Sequence, residues 1–266
     1  MAWWQYAFMQ RALIGGIIVG IITAIMGVYI VLRGMSFMGT GIAHAAFGGV
    51  ALGMLLGLDP ILTATGFCVL VAWGIGLVTR RGALKEDTAI GIWFAATMAF
   101  GILLLGLRQG YNVDLFTYLF GSVLAISPDD LKWLLGVGVL VVGAVLALYK
   151  ELLFVTFDPE AARVAGLPEG FLYYLLLTLV ALTVVASIKV VGLVLVSALL
   201  VIPAAAAYRW ADDFWVMMVL AIVFSVISVV AGLLFAYALN TASGATIVLT
   251  ATAVFAISLL FAPKKH

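Results

Sequence analysis

The sequence predicts an all-α, polytopic membrane protein with about nine transmembrane helices. Of the 266 residues, 66% are hydrophobic and 9% are charged, whereas soluble domains typically carry roughly a quarter charged residues. The mean hydropathy is +1.30, and the apolar residues fall in runs of the roughly 20 residues that a membrane-spanning helix needs. We therefore expect one transmembrane domain that covers residues 1–266.

The apolar runs give the order of the predicted spans. They are residues 12–32, 36–57, 60–79, 88–107, 131–149, 171–188, 190–208, 214–238 and 244–262. A further apolar piece, residues 115–126, is too short to cross the bilayer and is predicted to be re-entrant or interfacial. The stretch from 171 to 208 is too long for one crossing, so we expect the chain to turn near Lys189 and Gly192.

Three helix starts carry a hydrogen-bond acceptor followed by proline. These pairs are Asp59-Pro60, Ser127-Pro128 and Asp158-Pro159. The side chain at the first position can accept from free backbone N–H groups, and proline suits the first helical turn. The three pairs therefore fix three helix boundaries.

The distribution of basic residues predicts the orientation. If the N-terminus lies outside, most of the 13 Lys and Arg residues fall in cytoplasmic loops. Basic loop residues favour the cytoplasmic side of a membrane. The C-terminus and the loop after the fifth span are then predicted to be cytoplasmic.

The second predicted span carries a histidine, His44, well inside its apolar run. Ionisable residues at membrane depth usually face a bundle interior or a water-filled path. Ser36, Thr40 and His44 follow at four-residue intervals, which places them on one stripe of a helix. Gly48 extends this stripe, which we predict lines a passage. The alternative is that His44 only hydrogen-bonds a neighbouring backbone carbonyl.

Small residues also repeat in this span. Gly49, Gly53 and Gly57 recur every four residues, a pattern typical of close helix packing in membranes. Four apolar residues are predicted to lie on the opposite side from His44, facing lipid or other helices: Phe37, Ile42, Val50 and Leu52.

The sequence lacks the common motifs of catalysis and nucleotide binding. It has no GxxxxGK[ST] loop, no GxSxG elbow and no HExxH pair. Its two histidines are His44 and His266, and its one cysteine, Cys68, lies in an apolar run. These features disfavour an enzyme and a multi-histidine metal site, and the net charge of +1 gives no indication of nucleic-acid binding.

A short helix is predicted in the cytoplasmic loop between the fifth and sixth spans. Asp158 caps it, Pro159 opens it and Glu160 complements the positive end of the helix dipole. Gly166 ends it after about two turns, and Ala162 belongs to a face of small residues. Such a helix is suited to a groove of a partner protein. The alternative is an ordinary solvated connector.

Several sequence blocks, in this order, carry a family resemblance. They are VYIVLRGMSFMGTGIAHAAFGGVALG, VDLFTYLFGSVLAIS, FDPEAARVAGLP, VVGLVLVSALLVIPAAAAY and LNTASGATIVL. The chain resembles the permease subunits of zinc/manganese/iron-type ABC importers, and the resemblance covers nearly its whole length.

The resemblance implies a cobalamin-permease-like architecture in the bacterial plasma membrane. Two copies would surround the pathway as a homodimer, and residues 158–167 would be the cytoplasmic coupling helix that docks on a separate ATPase subunit. ATP would bind to that partner, and an extracytoplasmic metal-binding protein would deliver the ion. The cargo implied is zinc or manganese, with no permanently bound cofactor.

The chain departs from the family pattern at positions that bear on metal binding. Thr40 stands where the family usually has aspartate, Asn240 where the last-helix block often has aspartate, and Gly48 where proline is common. A carboxylate attracts a divalent ion more strongly than a hydroxyl does. His44 is then the predicted metal contact, and imidazole suits zinc and other transition metals. Asp114 is either an acid at the outer mouth or a helix N-cap.

Two other functions remain open from the sequence. A stand-alone secondary transporter or channel would need charged residues within its spans, and apart from His44 and Lys189 this chain has almost none. A membrane scaffold assembled by its glycines would show no metal-dependent phenotype.

Overall fold

The computed structural model describes residues 6–82, 84–107 and 126–261. Each regular element in these ranges is an α-helix, which confirms the predicted class. The helices are α1 (Ala7–Leu32), α2 (Met38–Leu56), α3 (Pro60–Arg80), α4 (Glu86–Leu107), α5 (Pro128–Ala147), α6 (Tyr149–Phe157), α7 (Pro159–Val164), α8 (Glu169–Val191), α9 (Leu193–Tyr208), α10 (Phe214–Leu239) and α11 (Ser243–Phe261).

Most of these helices match the predicted spans. Within the described residues, 8 helices are long and apolar enough to cross a membrane, namely α1 to α5, α8, α10 and α11. The apolar helix α9 has 16 residues and corresponds to the remaining predicted span. The predicted piece at 115–126 lies outside the described residues except for Ile126.

The helix boundaries follow the caps that the sequence indicates. The Asp59 carboxylate accepts from the backbone N–H groups of Ile61 and Leu62, each at 2.9 Å. Ser127 and Asp130 cap α5 reciprocally, because each side chain accepts from the other residue's backbone N–H. These bonds satisfy N–H groups that the first turn of a helix leaves without partners.

The expected break after α8 lies at Gly192. Its φ of 80° belongs to the left-handed region, which glycine adopts without steric cost. Gly192 alone separates α8 from α9. The run from 171 to 208 is therefore interrupted near the predicted position, at Gly192.

The described residues form two compact units. The first comprises the described parts of Met1–Val31, Phe116–Val139 and Ala186–His266. Within it, α1 and α9 approach so closely that a Cβ on Gly27 would lie 2.0 Å from the Leu200 carbonyl oxygen.

The second unit comprises the described parts of Leu32–Leu115 and Leu140–Val185. Its helix α2 packs on α3 through small residues, as predicted: a Cβ on Gly49 would lie 2.6 Å from the Cα of Ala64. Gly57 differs from the prediction. It ends α2 with a φ of 67°, and its N–H donates to the Gly53 carbonyl, because the chain needs a left-handed residue at the helix end.

Candidate functional site

His44 and Thr40 lie one turn apart on α2, and both are half-buried. The Nδ1 atom of His44 is 2.9 Å from the Thr40 carbonyl oxygen. A carbonyl can only accept, so Nδ1 carries the proton, and in the neutral imidazole the lone pair is on Nε2. The hydrogen bond from His44 to a neighbouring backbone carbonyl, which was the alternative to a pathway role, is therefore present. It uses only Nδ1, so Nε2 is still able to bind a metal ion.

The stripe that contains His44 faces α4 within the second unit. The rings of His44 and Phe94 meet edge to face, with centroids 4.6 Å apart. Four residues further along α2, a Cβ on Gly48 would lie 2.9 Å from the Thr97 carbonyl oxygen. Packing on α4 therefore fixes the orientation of the His44 ring.

A cleft of about 410 Å³ lies beside this stripe. It is lined by Phe37, Thr40, Gly41, Asp87, Ile90, Gly91 and Phe94. The prediction that Phe37 lies on the opposite side of α2 is wrong, because Phe37 and Thr40 line the same cleft. Thr40 and Asp87 supply polar groups to an otherwise mainly apolar wall.

Ser36 does not belong to α2. The helix begins at Met38, and Ser36 lies in the preceding turn. Gly34 has a φ of 72°, and the Met38 N–H donates to the Met35 carbonyl at 2.9 Å. This turn shortens the predicted span 36–57 at its start, so the helical stripe begins at Thr40.

Asn240 lies in the first unit and ends α10. It has left-handed φ and ψ angles of 55° and 45°, and its N–H donates to the Ala236 carbonyl. Among the non-glycine residues that the structure describes, it alone has a positive φ. Asparagine tolerates this conformation better than most residues. This capping role was not predicted, although an asparagine at the end of an apolar run is a signal for it.

The residues predicted for the short cytoplasmic helix come together around α7. The Asp158 carboxylate accepts from the Ala161 N–H at 2.8 Å, and Pro159 opens the helix. Ala162 is buried with 0% exposure, whereas Glu160 is exposed.

The end of α7 is fixed by Gly166, which has a φ of 83°. Its N–H donates to the Arg163 carbonyl, and the Leu167 N–H donates to the Ala162 carbonyl. This pair of bonds is the Schellman arrangement, which satisfies carbonyl groups at a helix C-terminus.

Sequence reasoning missed a carboxylate next to α7. Glu169 is 7% exposed, and its Oε2 atom lies 2.8 Å from Nη2 of Arg80 and 3.3 Å from Nη2 of Arg163. In the sequence, an acidic residue after Pro168 indicates only the first turn of a helix. Arg80 is distant in sequence, so no local pattern reveals the contact.

Aromatic and charged groups continue from this carboxylate. The guanidinium carbon of Arg33 lies 4.9 Å from the Tyr173 ring centroid, and that of Arg80 lies 5.7 Å from it. The Tyr173 hydroxyl is 3.5 Å from Oε1 of Glu86. Burial lowers the pKa of Arg33, and the Glu86 and Glu169 carboxylates partly offset this by favouring the charged guanidinium.

The charge near the end of α8 is paired. Lys189 forms a salt bridge with Asp130, whose side chain is 11% exposed, within the first unit. Ion pairing reduces the cost of burying the Asp130 carboxylate. Asp114 and His266 lie outside the described residues.

The long apolar helices define a multi-pass α-helical membrane protein. The family comparison is more specific. The chain belongs to the ABC 3 transport family, whose sequence model matches residues 5–262.

Individual relatives agree with this assignment. The chain is 42% identical, over 98% of its length and 93% of the relative, to the manganese transport system membrane protein MntC of Listeria monocytogenes. It is 38% identical to the chelated iron transport system membrane protein YfeD of Yersinia pestis, over 96% of this chain and 86% of that one.

A solved structure also matches. A chain of PsaBC from Streptococcus pneumoniae, in complex with Fab, has a TM-score of 0.87 and 40% identity. The match covers 98% of this chain and 94% of that chain. The helical architecture is therefore shared over nearly the full length.

Proposed function

We propose that this chain is the permease subunit of an ATP-driven importer for divalent transition-metal ions, with manganese the first candidate and zinc the second. The observation that carries the proposal is the family match over residues 5–262. A relative at 42% identity, named for manganese transport, supports manganese as the cargo. The protein is a multi-pass protein of the bacterial plasma membrane.

His44 is the metal contact of the proposed pathway. Its Nε2 lone pair can coordinate a transition-metal ion, and suits zinc better than manganese. The hydrogen bond that Nδ1 donates to a backbone carbonyl fixes the ring, as the same bond does in most metal-binding histidines. Thr40 adds a neutral oxygen one turn away, so the site holds the ion more weakly than a histidine and carboxylate pair would. Ser36 and Asn240 complete the proposed pathway residues.

ATP hydrolysis takes place on a separate ATPase subunit in this proposal, and residues 158–167 are the coupling helix. The structure supports this proposal in addition to the family resemblance. Val164 on α7 is 90% exposed and Phe157 just before it is 63% exposed, so this segment presents apolar side chains that a partner groove can cover. An extracytoplasmic metal-binding protein delivers the ion, and two copies of the chain form the pathway.

A pair of histidine variants tests the pathway. His44→Ala in cells that lack the wild-type gene should lower uptake of radioactive Mn²⁺ by about tenfold or more, because the metal loses its imidazole ligand. Membrane levels and co-purification with the ATPase should not change. His266→Ala, at the chain's other histidine, is the matched control and should transport normally. Normal uptake by His44→Ala would remove His44 from the pathway.

Growth of the deletion strain identifies the cargo. Cells without this chain should fail first under manganese limitation if manganese is the cargo, and first under zinc or iron limitation if one of those metals is. Equal growth under all three limitations would contradict the proposed metal import.

A further inference from the structure

The Glu169 carboxylate lies in the second unit, where α3, α7 and the start of α8 meet. Glu169 opens α8, Arg80 ends α3, and Arg163 belongs to α7. Both guanidinium groups contact the same carboxylate oxygen, at 2.8 Å and 3.3 Å. One buried acid therefore holds the short helix and a membrane helix together.

The close packing around Glu169 restricts the position of the Arg80 side chain in this pair of salt bridges. A Cβ on Gly170 would lie 3.0 Å from Nη1 of Arg80, so the guanidinium packs directly against the glycine backbone. Glu169 is nearly fully buried, and a buried carboxylate is stable only while its charge is paired and hydrogen-bonded. Separating either arginine from Glu169 is therefore unfavourable, and α3, α7 and α8 should move together.

The covalent link between α7 and α8 does not by itself impose this coupling. Only residues 165–168 separate the two helices, and Gly166 within this link has a left-handed φ. Helix α7 is also connected to α6 through Asp158 alone, and its Ala162 side chain is buried. The arginine contacts add a charged connection from α3 and α7 to the start of α8.

The same contacts continue towards the helices that hold His44. Arg80 and Arg33 both stack on Tyr173, whose hydroxyl faces Glu86 at the start of α4. Arg33 lies in the turn that leads into α2. Helices α2 and α4 carry the two rings that meet at His44.

We propose that Glu169 is a positioning residue for transport: it transmits movement of α7 to α3, and through the arginine and tyrosine stack to α2 and α4. The inference rests on the proposed function, since it assumes that an ATPase moves α7. It adds the residue that carries the movement into the membrane helices.

The test measures the metal ions transported per ATP hydrolysed. The full chain and its ATPase are reconstituted in proteoliposomes, and Mn²⁺ uptake and phosphate release are measured together. Glu169→Gln keeps the shape of the side chain but removes the charge, and should lower this ratio by about fivefold or more. A residue with only a structural role would lower uptake and hydrolysis together and leave the ratio unchanged.

A matched control comes from the exposed pair Asp129 and Lys132, whose side chains are 87% and 77% exposed. Asp129→Asn makes the same chemical change in a solvated ion pair and should leave the ratio at the wild-type value. Glu169→Asp keeps the carboxylate and should restore part of the lost coupling.

A variant of Arg163 tests the role of Glu169 independently. Its side chain is 67% exposed, so Arg163→Ala should fold normally and still lower the ratio. If Arg163 acts through Glu169, the double variant should be no worse than Glu169→Gln alone. If Glu169→Gln does not assemble, an unchanged ratio in Arg163→Ala overturns the inference.

The outcomes separate this inference from the proposed function. ATP-driven uptake by the wild type with an unchanged ratio in Glu169→Gln overturns only the role of Glu169. Absence of ATP-driven uptake in the wild-type complex overturns the proposed function itself.

Discussion

His44 uses its two ring nitrogens for different purposes. Nδ1 donates to the Thr40 carbonyl, which holds the ring against the helix, and Nε2 keeps the lone pair that a metal needs. The structural and the transport interpretations of this residue are therefore compatible. The packing of Phe94 against the ring further restricts its motion.

Thr40→Asp tests whether the pathway binds its ion weakly because it lacks a carboxylate. The variant places an anionic oxygen one turn from His44, and the KM for Mn²⁺ uptake should fall by about tenfold or more. The maximal rate should also fall, because a more tightly held ion leaves more slowly.

Thr40→Asn is the matched control, since it adds a polar side chain of similar size without charge. Uptake is measured as a function of Mn²⁺ concentration for both variants. An unchanged KM in Thr40→Asp would place Thr40 away from the ion.

Asn240 allows a cap role and a pathway role to be separated. Asn240→Ala should lower stability by about 1 kcal/mol, because alanine is strained at a positive φ, whereas Asn240→Gly should be tolerated. Thermal unfolding of the detergent-solubilised protein measures this difference. If the amide also lines the pathway, Mn²⁺ uptake falls in both variants; normal uptake by Asn240→Gly would leave the residue with the cap role alone.

At the scale of elements, α7 depends on its ends. A helix of six residues is too short to be stable by itself. Three features stabilise this short helix: the Asp158 cap, the termination at Gly166 and the burial of Ala162. The caps were predictable from the sequence because they are local patterns.

Gly166→Ala should loosen α7, since a side chain is strained at a φ of 83°. A cost of about 1 kcal/mol should speed tryptic cleavage after Arg163 roughly fivefold, because cleavage follows the population of the opened helix. Gly143→Ala is the control: Gly143 lies inside α5, and a Cβ there would meet open space. Equal cleavage rates in the two variants would show that Gly166 does not fix the end of α7.

Adding a side chain at the contact between α1 and α9 should destabilise the protein. Gly27→Ala would place a Cβ 2.0 Å from a backbone oxygen of Leu200, so one helix must shift, at a cost of about 1–3 kcal/mol. Gly66→Ala on α3 meets nothing within 4 Å and should be neutral or slightly stabilising. Thermal unfolding compares the two, and equal melting temperatures would contradict the described approach of α1 and α9.

Local patterns also explain where the element predictions were wrong. The four-residue spacing of Ser36, Thr40 and His44 holds only inside a helix, and the turn at Gly34 ends α1 and delays α2 until Met38. The spacing of the glycines likewise continued through Gly57, although that residue ends α2. Periodicity identifies a helix but does not reveal which glycine terminates it.

At the scale of the whole molecule, composition alone was sufficient for the class, and the order of sequence blocks was sufficient for the family. The contacts around Glu169 were not predictable. Glu169 and Arg80 are separated by 89 positions. The sequence around each of them indicates only a charged residue near a helix end. Only the folded chain brings their charges together.

In the proposed transporter, the ion pathway and the source of energy lie on different subunits. In the proposed function, the chain supplies the membrane helices, His44 is the metal contact and residues 158–167 are the coupling helix, while the sequence lacks a phosphate-binding loop of its own. A stand-alone secondary transporter or channel would need no second subunit. The two possibilities therefore differ in one measurable requirement.

The most direct test is Mn²⁺ uptake into proteoliposomes that contain the chain with or without its ATPase. The account predicts uptake only when the ATPase and hydrolysable ATP are both present, and loss of that uptake in His44→Ala. Equal uptake by the chain alone, without ATPase or ATP, would contradict it.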